Sequence, residues 1–200
     1  MREEHYKVLS RFTTSKYNKV RYEPTNIEGV VIITPQLHSD ARGYFYESFR
    51  SDEFCAHVSS RPFVQENQSL STKGVVRGLH FQKGDAAQGK LVRVVEGCVR
   101  DVVVDLRQDS PSFGRWAAFE LSAENNRQIY IPRGLAHGFA VLSQRAVLQY
   151  KCDAYYAPET DCGLLWCDED LDIDWGIDPS EAIISEKDQK WPTFTDCYKF

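Results

Sequence analysis

The run Lys90-Leu91-Val92-Arg93-Val94-Val95-Glu96-Gly97-Cys98-Val99-Arg100-Asp101-Val102-Val103-Val104-Asp105-Leu106 decides the fold. Its β-branched residues are too dense for a surface helix, and its one breaker is the pair Glu96-Gly97. Taken by itself it reads as two strands joined by a tight turn, a β-hairpin. Short strand-like runs follow at residues 115–121, 127–131, 138–142 and 146–150, with Pro132-Arg133-Gly134 and Ser143-Gln144 as turns between them. Upstream, Ile27-Glu28-Gly29-Val30-Val31-Ile32-Ile33 reads as the first strand of the folded domain. Helical patterning is confined to residues 51–57 and 185–190. Many short strands and few helices predict an all-β sandwich or closed barrel, for which the jelly roll is the usual double-sheet solution.

At 200 residues the chain is long enough for one domain with a sizeable core. A net charge of −5 argues against general nucleic-acid binding but leaves room for a local basic pocket. No apolar run reaches the roughly 18–20 residues that span a bilayer, and no signal-peptide core follows Met1, so a cytoplasmic protein is expected. The six cysteines form no Cys-x-x-Cys pair, and free thiols are expected of them. Residues 1–24 are polar and rich in Lys and Arg, without helical or strand period. They read as a flexible or loosely docked extension, with residues 25–200 forming the domain. There is no Gly-rich dinucleotide motif, P-loop or internal repeat.

The chemistry gathers around Gly74-Val75-Val76-Arg77-Gly78-Leu79-His80-Phe81-Gln82. A guanidinium and an imidazole in an apolar, glycine-bracketed strand are costly unless something binds them. Lys90 and Arg93 repeat the anomaly in the next strand, and one of the two is expected to face inward. Together these groups suggest an anion pocket with a base in it, because an imidazole exchanges protons near neutral pH. Metal binding is the competing use of His80. Strand alternation, however, puts Gln82 where a second histidine ligand would stand, and His137 is a distant partner without a nearby carboxylate. Tyr150 reads either as a core phenol with a wet tip or as a general acid. Tyr155-Tyr156 reads as rim packing or a stacking face. Arg42, beside Asp40 and Gly43, reads as a turn residue or a phosphate ligand.

Seven segments resemble, in order and with similar spacing, the dTDP-4-dehydrorhamnose 3,5-epimerase family. They are Asp40-Ala41-Arg42-Gly43-Tyr44-Phe45-Tyr46-Glu47-Ser48-Phe49, Gln65-Glu66-Asn67-Gln68-Ser69, Arg77 to Gln82, Gln88-Gly89-Lys90-Leu91-Val92-Arg93, Leu121-Ser122-Ala123-Glu124-Asn125, Ile131 to Phe139, and Ser185-Glu186-Lys187-Asp188. The resemblance implies a cupin-type jelly roll that works without metal or organic cofactor, as a homodimer exchanging N-terminal strands. By it, His80 is the general base, Asp188 its orienting carboxylate, Tyr150 the acid on the opposite face and Lys90 the enolate stabiliser. Arg42, Glu47, Gln65, Asn67, Arg77, His137 and Lys187 fall on substrate-contacting positions, and Tyr156 on the thymine-stacking aromatic. Asp161 stands where a glutamate is usual in a further binding position.

The activity so implied is epimerisation at C3 and C5 of dTDP-4-dehydro-6-deoxy-D-glucose, in dTDP-L-rhamnose-type deoxysugar synthesis. The 4-keto group acidifies the C–H bonds on both sides of it. Inversion there needs a base, a fixed charge for the enolate and a proton donor on the other face. The rival readings are a mono-epimerase, an enzyme of a UDP- or GDP-linked sugar, a non-catalytic sugar-nucleotide binder and a metal-dependent cupin. Neither nucleic acid nor membrane is an expected partner.

Overall fold

The computed structural model describes residues 20–200. Two antiparallel sheets face each other. The six-stranded sheet has the order β1 (Arg21–Pro24), β2 (Val31–Thr34), β10 (Gln128–Ile131), β7 (Lys90–Glu96), β12 (Arg145–Cys152) and β5 (Gln65–Thr72). The five-stranded sheet has the order β13 (Asp161–Gly163), β6 (Val76–Gln82), β11 (Leu135–Val141), β8 (Cys98–Asp105) and β9 (Trp116–Ser122). A separate hairpin pairs β3 (His38–Asp40) with β4 (Gly43–Phe45), and one helix, α1 (Ser51–His57), lies where the sequence predicts it.

The core fills the space between the sheets. Val92, Val94, Ile129, Ile131 and Leu148 from one side meet Val99, Val103, Leu121, Phe139 and Val141 from the other. The five-stranded sheet is covered on its outer face as well. There Val76, Leu79, Val102, Val104, Ala136 and Ala140 pack under Leu164, Leu171 and Trp175 of the C-terminal segment. Burial on both faces explains why β11 is buried at every position and why Val102-Val103-Val104 shows no alternation. α1 seats Phe54 on Ile33, Leu91 and Tyr130 at the outer face of the six-stranded sheet.

The predicted hairpin is not one. β7 pairs with β10 and β12, β8 pairs with β11 and β9, and the chain passes from one sheet to the other at Gly97. Gly97 has φ 78°, and a Cβ there would lie 2.1 Å from the Arg145 carbonyl oxygen. The crossing is held by Ser143 Oγ, which accepts from the Cys98 amide at 2.8 Å, and by the Gly97 carbonyl, which accepts from the Ala123 amide at 3.0 Å. A local turn signal identifies the bend but not the strand's partner, which here comes from far along the chain.

Three boundaries also differ from expectation. Residues 27–30 form a turn, its Val30 amide bonded to the Ile27 carbonyl at 3.1 Å, and β2 begins only at Val31. Ile27 and Val30 are apolar because they plug the end of the sandwich, both fully buried. The domain begins before residue 25. β1 pairs along its length with β2, and Val20 and Tyr22 pack on the Phe54 cluster, an anchor of two side chains too sparse to register as a period. The part of the expected extension at residues 1–19 lies outside the described residues. Finally, the helix expected over 185–190 contracts to a 3-10 turn, Asp188–Lys190.

Replacing Gly97 by Ala forces a left-handed conformation on an L-residue and a clash with fixed backbone. The expected loss of unfolding free energy exceeds about 1–2 kcal/mol. Urea denaturation measures it; an unchanged midpoint would show that the crossing does not need glycine.

Candidate active site

The site is built where the two sheets splay apart at one end. From the five-stranded sheet, β6 contributes His80. From the six-stranded sheet, β5 contributes Gln65 and Asn67, β7 Lys90, and β12 Tyr150. With Gln88, Tyr156, Asp161 and Lys187 they line a cleft of about 370 Å³. His80, Lys90 and Tyr150 also line an adjoining lobe of about 180 Å³, with Arg77 and His137. Lys90 and Arg93 diverge as their three-residue spacing on a strand requires. Lys90 enters the cleft, whereas Arg93 lies outside, bonded through Nη2 to Gln149 Oε1 at 2.7 Å.

His80 is set by a bulged strand pair. β6 and β11 match His80 to His137, and then the register slips before Phe139 meets Arg77. Gly78, at φ 130°, and Gly138 touch at the slip, where a Cβ on Gly78 would fall 2.5 Å from the Gly138 Cα. The irregularity turns the Gly78 amide outward to Asp188 Oδ2 at 3.3 Å. Asp188 Oδ1 lies 2.6 Å from His80 Nε2 and accepts from the Trp191 indole at 3.2 Å. The backbone amide of Asp188 is in turn held by Ser185 Oγ at 3.1 Å.

Asp188 is only 3% exposed, and burial alone would push its carboxyl pKa up. The His80 hydrogen bond and charge, with the Gly78 amide and the Trp191 indole, more than offset this and hold it below the ordinary carboxylate value. An ionised Asp188 accepts, so Nε2 carries a proton, and in the neutral ring Nδ1 holds the lone pair. The Trp191 ring stands edge-on to the imidazole, 6.3 Å between centroids.

Tyr150 faces the cleft from the other sheet. Burial, aided by the neighbouring Cys152, pushes its phenol above the usual value despite the Asn67 hydrogen bond and the Arg77 charge. Lys90 moves the opposite way. Burial lowers its pKa, while Cys152, Asp101 and Asp161 pull it back up. Lys187 and Asp161 form an ion pair, and the Tyr156 hydroxyl donates to the same Asp161 oxygen at 3.2 Å. The backbone amide of Tyr156 is bonded to Gln65 Oε1 at 3.0 Å.

Arg77 is exposed rather than buried, its guanidinium tied to Ser71 Oγ at 2.9 Å and the Leu70 carbonyl at 3.3 Å. Its strand position looked apolar because its neighbours Val76 and Leu79 are buried on the outer face. Gln82 is committed to the peptide of Ala157, donating to its carbonyl at 2.9 Å and accepting from its amide at 3.1 Å. Among the described residues no three His, Cys, Asp or Glu side chains converge on a metal position. His137 is buried against Asp101, Nε2 to Oδ2 at 2.7 Å. Arg42 is on the exposed β3–β4 hairpin, paired with Asp40 at 2.6 Å, and Glu47 lines a different pocket beside Phe49 and Arg50. Neither reaches the His80 cleft of its own chain. Trp191, Gln88 and Asp101 are the site residues that sequence reasoning missed. Only the closeness of Trp191 to Asp188 in the chain was a signal.

The architecture is a cupin-type jelly roll whose open end holds an oriented imidazole, a phenol and an ammonium around one cleft, the equipment of an acid–base enzyme. The family model of dTDP-4-dehydrorhamnose 3,5-epimerase matches residues 24–196. The dTDP-4-dehydrorhamnose 3,5-epimerase of Escherichia coli K12 is 52% identical over 168 residues, 83% of this chain and 90% of that protein. Among solved structures, the enzyme of the same name from Elizabethkingia anophelis superposes with a TM-score of 0.85 at 48% identity, covering 88% of this chain and 97% of that one. A Legionella pneumophila dTDP-6-deoxy-D-glucose-3,5-epimerase, solved with dTDP-4-keto-L-rhamnose, gives 0.85 at 43% identity, covering 88% and 94%. The chain belongs to the dTDP-4-dehydrorhamnose 3,5-epimerase family of isomerases.

The Asp188 carboxyl is depressed in the folded state, so its stabilisation is present above the unfolded value near pH ~4 and is lost as pH falls through the folded value. Asp188→Asn should remove that acid-side loss. The difference in unfolding free energy between wild type and variant should therefore narrow as pH is lowered below about 4. Parallel stability–pH curves would show that the pair is uncoupled from folding.

Proposed function

We propose that this enzyme inverts C3 and C5 of dTDP-4-dehydro-6-deoxy-D-glucose, giving dTDP-4-dehydro-L-rhamnose. The observation that carries the proposal is that His80 and Tyr150, each from a different sheet, line one cleft together with Lys90. His80 Nδ1 removes the proton from a carbon next to the ketone. The electron pair moves onto the C4 oxygen, and the Lys90 ammonium stabilises that oxyanion. The Tyr150 hydroxyl then delivers a proton to the opposite face, which inverts the centre. His80 and Tyr150 regain their starting states by exchange with solvent, and the second centre follows by the same steps.

The altered acidities suit these tasks. A phenol raised by burial stays protonated at neutral pH and is available as a donor. An ammonium in a poorly hydrated cleft acts on a developing oxyanion more strongly than it would in water. Asp188 keeps the imidazole in the tautomer that presents its lone pair and stabilises the imidazolium once formed. Gln65, Asn67, Tyr156, Asp161 and Lys187 supply the nucleotide end, with Tyr156 as the stacking face, and Arg77 and His137 serve the adjoining lobe. All six cysteines are unpaired, which supports a reducing, cytoplasmic setting.

Incubation with the 4-keto substrate in deuterated water should place deuterium at both C3 and C5 by NMR. Label at one carbon alone would overturn double inversion in favour of a mono-epimerase. Faster turnover of the UDP-linked sugar would overturn the nucleotide assignment. His80→Ala should lower exchange at both carbons by about 10²–10⁴-fold. Tyr150→Phe should leave proton removal measurable while suppressing formation of the inverted product. Full activity in either variant would refute its assigned role.

The working unit in this proposal is a homodimer in which the β3–β4 arm of one subunit completes the cleft of the other. Its support is that Arg42 and Glu47 lie away from the cleft of their own chain, while the arm leaves Tyr44 58% and Phe45 70% exposed. In a mixture of His80→Ala and Arg42→Ala proteins, subunit exchange would create dimers with one intact cleft. Activity should rise above that of either variant alone, and no rise on verified exchange would refute arm donation.

A further inference from the structure

Lys90 carries a heavy load in the mechanism, yet no hydrogen bond or ion pair holds its ammonium among the described residues. A lysine has four rotatable side-chain bonds and no fixed fork of donors, so its reach depends on where its backbone is pinned. Lys90 is the first residue of β7, with Ile131, the last of β10, on one side and Cys152, the last of β12, on the other. Three strand ends therefore meet in a single row at the edge of the cleft.

One carboxylate closes that row. Asp153, directly after Cys152, accepts the amide of Gly89, directly before Lys90, at 2.7 Å through Oδ1. Its own amide returns a hydrogen bond to the Gly89 carbonyl at 3.1 Å. Arg133, two residues beyond Ile131, grips the same carboxylate. Its Nε lies 3.0 Å from Oδ2, its Nη2 3.1 Å from Oδ1, and its Nη2 also reaches the Asp153 carbonyl at 3.3 Å. The Asp153 side chain is 1% exposed and that of Arg133 27%, so the pair is shielded from water and its geometry is restrained. The fit allows no extra atom, since a Cβ on Gly89 would stand 2.9 Å from Asp153 Oδ2. Gln88 adds a second tie, donating to the Ala154 carbonyl at 2.9 Å.

We infer that Arg133 and Asp153 are positioning residues for the reaction, a clasp that pins the start of β7 and thereby aims Lys90 at the substrate oxygen. The inference rests on the proposed function for the role of Lys90, and on the geometry alone for the role of the clasp. Neither residue touches the cleft, so neither is catalytic. A displacement of about 1 Å in an electrostatic group is enough to cost on the order of 10²-fold in rate. The clasp should act on turnover and leave the nucleotide's grip intact, because the residues proposed for the nucleotide end are, apart from Gln65 and Asn67 of β5, on the segment beyond it.

The test uses the full-length enzyme and the variants Asp153→Asn and Arg133→Gln. Each should lower kcat by about 10-fold or more, while KM and the dissociation constant for dTDP stay within about 2-fold of wild type. The double variant Asp153→Asn/Arg133→Gln, which restores a neutral hydrogen-bonded pair without an orphaned charge, should recover part of the lost kcat. A second readout needs no turnover: the titration of the Lys90 ammonium by 15N NMR, assigned with Lys90→Arg. The charges acting on that ammonium are those of Cys152 on β12, Asp101 on β8 and Asp161 on β13, and it shares the cleft with the titratable His80 of β6 and Tyr150 of β12. In Asp153→Asn the midpoint should rise toward that of an ordinary lysine as water enters, although loss of a carboxylate by itself would lower it.

Unchanged kcat together with a lowered melting temperature would make the clasp structural only and overturn the inference. An unchanged or lowered Lys90 midpoint would overturn it as well. If the wild type binds dTDP but takes up no deuterium from solvent, the proposed reaction fails, and the Lys90 titration still decides whether the clasp sets that side chain.

Discussion

The 2.6 Å contact between Asp188 and His80 joins residues 108 positions apart, and the outer half of the molecule is arranged to make it. A carboxylate that is almost fully buried is stable only if its oxygens are met by donors. Here the donors come from three places: the imidazole of β6, the amide exposed by the Gly78 bulge, and the indole of Trp191. For Asp188 to be there at all, the chain after β13 must wrap the outer face of the five-stranded sheet. Leu164, Leu171 and Trp175 secure that path by burying apolar surface on Val76, Leu79 and Val102. The second apolar cluster of the fold is thus the support of the His80–Asp188 pair, and not an independent piece of core.

The same dependence explains the two-sheet division of labour. If His80 and Tyr150 belonged to one sheet they would lie on one side of any ligand in the cleft. On facing sheets they approach it from both sides, which is the geometry that inversion requires. The chain crossing at Gly97 makes this possible, because it places β7 in the Tyr150 sheet and β8 in the His80 sheet.

Charged groups in apolar strands are legible in the amino-acid sequence, since such groups are expensive to bury and therefore carry information. His80 and Lys90 belong to that class, and so does the expectation that one of Lys90 and Arg93 faces inward, although the spacing does not say which. Strand pairing is not legible there: the Glu96-Gly97 signal marks a bend, whereas the partners of β7 and β8 are fixed by packing across the sandwich. Arg77 misleads for a related reason, because the bulge at Gly78 breaks the alternation from which its burial is inferred. Asp188 stands in an ordinary run of charges, and only the family resemblance singles it out. Arg133 and Asp153 give no sign at all, as each is an ordinary surface-type residue without the other. Arg42 and Glu47 differ again, since neither lines the His80 cleft of its own chain.

Burial affects Asp188, Tyr150 and Lys90 differently, and the protein compensates each in kind. A buried carboxylate is kept charged by donors, and a buried phenol is kept neutral by burial itself. A buried ammonium is the hard case, because a contacting carboxylate would preserve its charge and cancel its field. Around Lys90 the acids are close enough to favour the protonated form but are engaged elsewhere. Asp101 is bonded to His137, Asp161 to Lys187 and Tyr156. These acids oppose the downward shift that burial imposes on Lys90 without forming a hydrogen bond or ion pair with its ammonium, so the ammonium is not tied up by a neighbouring carboxylate.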